Sequence, residues 1–115
     1  MQNTFIASQV FTANQKGVNP ISTWAGRFLP GKAMVRLLAR STTAGNQLTL
    51  NSGTRSIQPK SPVQSGGTAG VTPSELNTTP IEWIGFPGEE IMPLFDEVLG
   101  GTPTVDLVIM WTLIR

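Results

Sequence analysis

Apolar and polar residues alternate with a period of two along much of the chain, and this pattern predicts short β-strands. The strongest case is the segment 104–115. Its apolar face consists of Val105, Leu107, Ile109, Trp111 and Leu113. The opposite face is also largely apolar, which is typical of a strand in the middle of a sheet. We therefore predict a central strand here, with Ile109 and Trp111 buried.

Three further segments carry the same signal in the first half of the chain. Residues 33–41 alternate between turn-forming flanks; a short helix is the alternative, because Met, Leu, Ala and Arg are good helix formers. We favour a strand because the flanks leave only about nine residues. Residues 47–51 and 55–58 alternate around a Gly-containing connection and predict a hairpin. Pro59 and Pro62 then end the second strand or hold it at a sheet edge.

The remaining segments give weaker signals. Residues 81–84 predict a short strand, and residues 89–98 predict an edge strand or an extended arm, because Pro93 cannot donate a ladder hydrogen bond. Within the latter segment, residues 95–99 are a candidate for one helical turn. A further strand is predicted over residues 2–12. One side of this strand consists of Phe5, Ala7, Gln9 and Phe11.

Together these patterns predict an all-β fold with six to eight short strands. The chain of 115 residues contains 12 Gly and 9 Pro and fits one domain over 1–115. We expect an antiparallel sandwich or jelly roll with long polar loops, with a small barrel as the alternative. Residues 1–12 are a candidate extended N-terminal arm, and residues 59–80 are predicted to form a flexible polar loop.

Charge is segregated along the chain. The first 74 residues contain seven basic and no acidic residues, whereas the last 41 contain seven acidic residues and one basic residue. Two copies could attract each other head to tail, or the basic half could meet an acidic surface. The alternative is that the two halves neutralise each other within one folded chain.

The residues for common catalytic chemistry are missing. The chain has neither Cys nor His, which excludes a disulfide framework, a thiolate metal site and a histidine base. Glu89-Glu90 and Asp96-Glu97 are the acidic pairs, but neighbouring residues on a strand point to opposite faces and make a poor metal clamp. We therefore predict no catalytic, metal or cofactor site and no enzyme activity, and no segment that predicts a signal peptide or a membrane span.

Large apolar and basic side chains in turn-rich or terminal segments are candidates for an interface. They are Phe5, Phe11, Trp24, Phe28, Arg36, Arg40 and Phe86. Arg36 and Arg40 share a predicted strand face, so direct contact with nucleic acid is a further hypothesis, ranked lower because the net charge is only +1.

A Phe-bearing N-terminal segment, few charges, a Ser/Gly/Thr loop and a strand running to the last residue are the features that carry a family resemblance. In these features the chain resembles small β-sandwich or jelly-roll virion structural proteins, particularly bacteriophage capsid decoration (cement) and minor capsid proteins. The resemblance implies a homo-oligomer, such as a trimer, that binds neighbouring capsid proteins in the virion. The alternative is a binding module for carbohydrate or another extracellular ligand, which a row of exposed tryptophans in a groove would indicate.

Overall fold

The computed structural model describes residues 2–66, 68–74 and 77–114. Seven strands and one short 3-10 turn make up its regular structure. The strands are β1 (Gln2–Val10), β2 (Ala33–Ser41), β3 (Asn46–Ser52), β4 (Arg55–Pro62), β5 (Ile81–Gly85), β6 (Ile91–Glu97) and β7 (Thr104–Leu113), and the 3-10 turn covers Ala25–Arg27. Among these described residues no helix has the length and apolar character needed to cross a membrane.

The strands form two antiparallel sheets that pack as a sandwich, which confirms the predicted all-β class. Sheet A has the order β1-β7-β2-β5, and sheet B has the order β4-β3-β6. β7 lies between β1 and β2, as predicted for the most apolar strand. Ile109 and Trp111 of β7 are buried, and the Trp111 indole N–H donates a 2.8 Å hydrogen bond to the carbonyl oxygen of Gly26.

β3 is the central strand of sheet B and forms the predicted hairpin with β4. β4 continues to Pro62, beyond the predicted end, because an edge strand tolerates residues without an N–H on its open side. β6 is the other edge strand, as its proline predicted. The helical turn predicted at 95–99 is wrong, because Phe95 and Glu97 continue the inward alternation of the strand.

The core fills the space between the two sheets. Its central members are large aliphatic and aromatic side chains from both sheets and from the segment between β1 and β2. They include Phe11, Ile21, Leu29, Val35, Leu37, Leu50, Ile91, Phe95, Leu107, Ile109 and Trp111. Burying each such side chain contributes about 1.5–3 kcal/mol, so this layer supplies most of the driving force for folding.

The segment predicted as an N-terminal arm is part of the sheet of its own chain. Residues Gln2 to Val10 pair with β7 over the whole length of the strand. Phe5 and Ala7 face the core and Ile6 faces outward, as the alternation predicted. The prediction of an extended arm is therefore wrong. β7 has apolar faces and backbone groups that need a neighbouring strand on each side, and β1 is one of these neighbours.

The loop after β4 lies against the outer face of sheet A. Gly70 N–H donates to both carboxylate oxygens of Asp106, and Arg40 donates to the carbonyl oxygen of Asn77. Leu38 and Val108 are buried although they point away from the core, which fits cover by this loop. Residues 59–62 belong to β4, so the predicted 59–80 loop begins after Pro62; Gly67, Glu75 and Leu76 lie outside the described residues.

Among the described residues, three ion pairs join the basic first part of the chain to the acidic last part. They are Arg27–Glu90 at 3.0 Å, Arg55–Glu89 at 2.6 Å and Lys60–Asp96 at 2.6 Å. The hydrogen bond from Lys60 lowers the pKa of Asp96, with further help from the backbone N–H of Gly17. Some of the opposite charges that are segregated in the sequence thus pair with each other within one folded chain.

Candidate ligand cleft

A cleft of about 240 Å³ is lined by residues of both sheets, with most of them in or beside the edge strands β4 and β5. It lies at the side of the sandwich formed by these two edge strands. Its lining comes from β2, β3, β4, β5 and the residues that flank β4 and β5. The lining residues are Ala39, Leu48, Gln58, Ser61, Pro62, Val63, Gln64, Thr79 and Ile81.

A β-bulge in β4 brings two polar side chains to the cleft. Gln58 pairs with Leu50 and Ser61 pairs with Leu48, so three steps along β4 match two steps along β3. Leu48 and Leu50 both point into the sandwich, and their partners therefore share that face. In a regular strand, residues three apart would point to opposite faces. The bulge is what places Gln58 and Ser61 on the same face of β4.

The other two polar residues are joined by a hydrogen bond across the cleft mouth. The backbone N–H of Thr79 donates to the Gln64 side-chain oxygen at 3.0 Å, and the Gln64 amide nitrogen donates to the carbonyl oxygen of Asn77 at 3.3 Å. These bonds fix the Gln64 amide and leave the Thr79 hydroxyl available. Within the described residues, the Gln58 amide makes no hydrogen bond and is available as both donor and acceptor.

The chemistry of the cleft is neutral. Its polar groups are two amides and two hydroxyls, and its walls are aliphatic side chains such as Leu48, Val63 and Ile81. Amides and hydroxyls donate and accept hydrogen bonds without a net charge, so they match ligand hydroxyl groups. In the part of the chain that the structure describes, no group of three or more acidic residues could hold a metal ion.

A second surface lies at the end of the sandwich where residues 28–29 run beside residues 88–90. Phe28 is 49 % exposed and Phe86 is 43 % exposed. The Arg27 guanidinium lies 4.6 Å from the Phe28 ring centre, and the Arg55 guanidinium lies 4.8 Å from the Phe86 ring centre. We call Phe28, Phe86 and these two arginines the aromatic end surface.

Glu89 holds the part of this aromatic end surface that contains Arg55 and Phe86. It accepts hydrogen bonds from Arg55, from the Ser52 hydroxyl and from the Phe86 backbone N–H. The Arg55 hydrogen bond is the main reason that the pKa of Glu89 falls to about 2. Because both arginines are already paired with glutamates, the surface offers apolar ring faces more than free positive charge.

The structure separates the predicted interface residues into three places. Phe11 lies in the core, edge-on to Phe95 at 6.3 Å, and Trp24 is buried with Phe5 stacked on it at 5.6 Å. Phe5 and Phe11 pack within their own chain because the inward alternation of β1 continues to residue 11, and Trp24 packs on Phe5. This corrects their assignment to an interface.

The remaining predicted interface residues stay at the surface in two separate places. Phe28 and Phe86 form the aromatic end surface described above. Arg36 and Arg40 are half-buried on the outer face of sheet A, where Arg40 holds the loop at Asn77. The predicted set is therefore not one contiguous site.

The tryptophans do not form the exposed row that would indicate a stacking groove. Trp24, Trp83 and Trp111 are all buried and belong to the core cluster. Aromatic stacking at the surface of the described chain thus depends on phenylalanine, not tryptophan. None of the nine residues that line the cleft is aromatic.

No family profile and no curated protein matches this sequence. Among solved structures, the chain is similar to the C-terminal carbohydrate-binding module CBM6 of LamC, a marine laminarinase from Zobellia galactanivorans. The identity is 11 %, the match covers 96 % of this chain and 100 % of that chain, and the TM-score is 0.40. A likeness at this TM-score carries no argument about function, and the sandwich architecture rests on the two sheets themselves.

The comparisons also correct the expected role. Neither the sequence comparisons nor the solved structure named above supports a virion protein. The prediction of a capsid decoration or minor capsid protein is therefore withdrawn. The alternative stated with it, a β-sandwich binding module, is the hypothesis developed below.

Sequence reasoning missed all four polar cleft residues. Gln58 and Ser61 were hidden because simple alternation assigns them to opposite faces. The signal that could have found them is the placement of Pro59 and Pro62 inside an otherwise alternating strand, because prolines within strands concentrate at edges and bulges. Bulges in turn often redirect side chains at binding sites.

Proposed function

We propose that this chain is a non-catalytic binding domain whose cleft takes a neutral, hydroxyl-rich ligand of the carbohydrate class. The observation that carries the proposal is the bulged edge of β4, which brings Gln58 and Ser61 to one face above an aliphatic floor. A preformed concave site with a few convergent polar groups is the default place for ligand binding.

The ligand class follows from the polar lining. A charged ligand would find no opposite charge among the two amides and two hydroxyls, and burying its charge there would be unfavourable. A sugar ring presents hydroxyl groups around its edge and C–H groups on its faces. The hydroxyls fit the Gln58 amide and the Thr79 hydroxyl, and the C–H groups fit Val63 and Ile81. The volume of about 240 Å³ favours one or two sugar units.

Nucleic-acid binding is the competing hypothesis, and the ion pairs count against it. Arg27, Arg55 and Lys60 are each paired with a carboxylate of the same chain. Strong binding to a polyanion requires cations that are free to neutralise phosphates. These pairs take up three of the eight basic residues, and the net charge is only +1.

The test is a titration of the ¹⁵N-labelled full chain with neutral oligosaccharides, followed by amide chemical shifts. We expect saturable shifts at Gln58, Ser61, Gln64 and Thr79. Gln58→Ala should weaken binding about fivefold, because one net hydrogen bond contributes about 1 kcal/mol. Gln47→Ala is the matched control, since Gln47 lies on the opposite face of the same sheet from Leu48.

Three outcomes would contradict the proposal. They are the absence of shifts with every neutral oligosaccharide, shifts confined to other surfaces, and equal affinity of Gln58→Ala and the unsubstituted chain. A parallel titration with the polyanion heparin tests the competing hypothesis of nucleic-acid binding. Salt-sensitive heparin binding without any response to neutral sugars would favour the polyanion hypothesis instead.

A further inference from the structure

The outer edge of β1 is open. In the described residues, the backbone of Gln2–Val10 pairs with β7 on one side and with no strand on the other. The strand is nine residues long and contains no charged residue and no proline. Two of its outward side chains are apolar and solvent-exposed, Ile6 by 60 % and Val10 by 66 %. A long edge of this kind is a template for pairing with another strand.

The other three sheet edges carry protection that β1 lacks. β4 has Pro59, Lys60 and Pro62 together with its bulge, and β5 is five residues long and contains Glu82. Prolines, bulges, charges and short length are the usual means by which proteins block edge pairing.

β6 is protected by its own chain. Val18 and Phe95 exchange two backbone hydrogen bonds of 3.0 and 2.8 Å, and the backbone N–H of Glu97 donates to the carbonyl oxygen of Gln15 at 2.7 Å. The segment before β2 thereby covers the edge that β6 would otherwise expose. Of the four edge strands of the two sheets, β1 is thus the one whose outer edge lacks such protection in the described residues.

The sequence of β1 is complementary to itself in the antiparallel direction. When two copies of the strand are centred on Ile6, Thr4 of one copy faces Ser8 of the other, and Asn3 faces Gln9. Phe5 then faces the small Ala7. In this register hydroxyl side chains lie opposite hydroxyls, amides lie opposite amides, and the largest side chain lies opposite the smallest. Such cross-strand pairs stabilise antiparallel sheets.

We infer that β1 pairs with β1 of a second copy of this chain, antiparallel and centred on Ile6, to form one continuous eight-stranded sheet across a two-fold axis. A two-fold contact requires a surface that is complementary to itself, and β1 has this property. Binding to an unrelated partner would not require such self-complementarity. One strand edge is a small interface, so the dimer forms in a concentration-dependent equilibrium. This inference is independent of what the cleft binds.

Disulfide trapping tests both the contact and its register. The chain contains no cysteine, so each introduced thiol is unique. Directly opposite residues of antiparallel strands have Cβ atoms about 4.5–5.5 Å apart, close enough for a disulfide after a small shift. Two Ile6→Cys chains should therefore cross-link, whereas Val10→Cys is the control, since Val10 faces Gln2 of the other copy. Under mild oxidation we expect Ile6→Cys to cross-link at least about tenfold faster than Val10→Cys.

Sedimentation of the intact chain provides the second measurement. Ile6→Lys should weaken self-association about tenfold, because two like charges then face each other across the axis. Mixing Ile6→Lys with Ile6→Glu should restore a dimer. Ile84→Lys, on the outer face of the same sheet but at β5, should change nothing. If Ile6→Lys fails to fold, Thr4→Lys mixed with Ser8→Glu tests the same register, because the mixed dimer gains a Lys–Glu pair that neither variant forms with itself.

Several results would overturn the inference. A wild-type chain that remains monomeric at every concentration would do so, as would equal cross-linking of Ile6→Cys and Val10→Cys. An Ile84→Lys chain that dissociates as readily as Ile6→Lys would place the contact on the sheet face and not on the β1 edge.

Discussion

Arg55 and Glu89 meet in a two-pronged ion pair, with the guanidinium Nε 2.7 Å from Oε2 and Nη2 2.6 Å from Oε1. The pair joins the start of β4 to the turn after β5. The same carboxylate accepts hydrogen bonds from Ser52 and from the Phe86 backbone, so one acidic group organises three segments. This arrangement explains how Phe86 of the aromatic end surface stays exposed on an ordered turn.

The low pKa of Glu89 predicts a dependence of stability on pH. The folded pKa of about 2 lies below the ordinary value of 4.5. The ionised group therefore contributes stability that is fully present above pH 4.5 and is lost as the pH falls towards 2. Urea denaturation between pH 6 and pH 2 should show a steeper loss of stability for the wild type than for Glu89→Gln. Parallel curves for the two proteins would contradict this expectation.

Gly85 makes room for Leu29. A Cβ atom built on Gly85 would lie 2.1 Å from Cδ1 of Leu29, and Leu29 is buried in the core. Gly85→Ala should therefore destabilise the fold by about 1–3 kcal/mol through overpacking. Combining it with Leu29→Ala should cost less than the sum of the two single changes, and a urea double-mutant cycle measures this coupling. Strict additivity would show that the two sites do not compete for space.

Burial of the central strand predicts a large cavity effect. Ile109 lies in the middle of β7 and is fully buried. Ile109→Ala should lower the free energy of unfolding by about 2–5 kcal/mol. Ile84→Ala is the matched control, because Ile84 is on the same sheet but partly exposed, and its change should stay within about 0.5 kcal/mol. Chemical denaturation of both variants decides the point, and similar losses would place Ile109 outside the core.

The buried carboxylate of Glu97 is expected to stabilise the backbone around it. It is fully buried and accepts backbone hydrogen bonds from Asn14 at 2.9 Å, Leu99 at 3.0 Å and Gly100 at 2.7 Å. The Asn14 hydrogen bond is the largest of the causes that lower its pKa. Glu97→Ala should leave these N–H groups unsatisfied and lower the thermal midpoint more than Glu90→Ala, whose side chain is partly exposed. Equal midpoints for the two variants would contradict this role.

Alternation predicted the sheets well where local pattern and tertiary contact agree. β2 runs from Ala33 to Ser41, as the flanking turn residues indicated, and β7 is the buried central strand. The fold of these segments follows from side-chain periodicity alone. The inward face is apolar from Ala33 to Ala39 in β2 and from Val105 to Leu113 in β7, so a one-residue slip would expose it.

Prediction failed where long-range contacts decide the outcome. The segment at Phe95 had helix-forming neighbours, yet pairing with β3 and with Val18 keeps it extended. The cleft was invisible because a bulge depends on how two strands align, which the sequence of one strand does not reveal. Gln58 and Ser61 became neighbours through the register of β4 against β3.

The open edge of β1 and the cleft lie on opposite sides of the sandwich, because β7 and β2 separate β1 from β5. In a pair joined at β1, the two clefts would therefore face away from each other at the far ends of one long sheet. Such a particle cannot close both clefts on one short oligosaccharide. It can bridge two stretches of a polymer, and on a dense polysaccharide the second contact becomes intramolecular, so that two weak sites act with avidity.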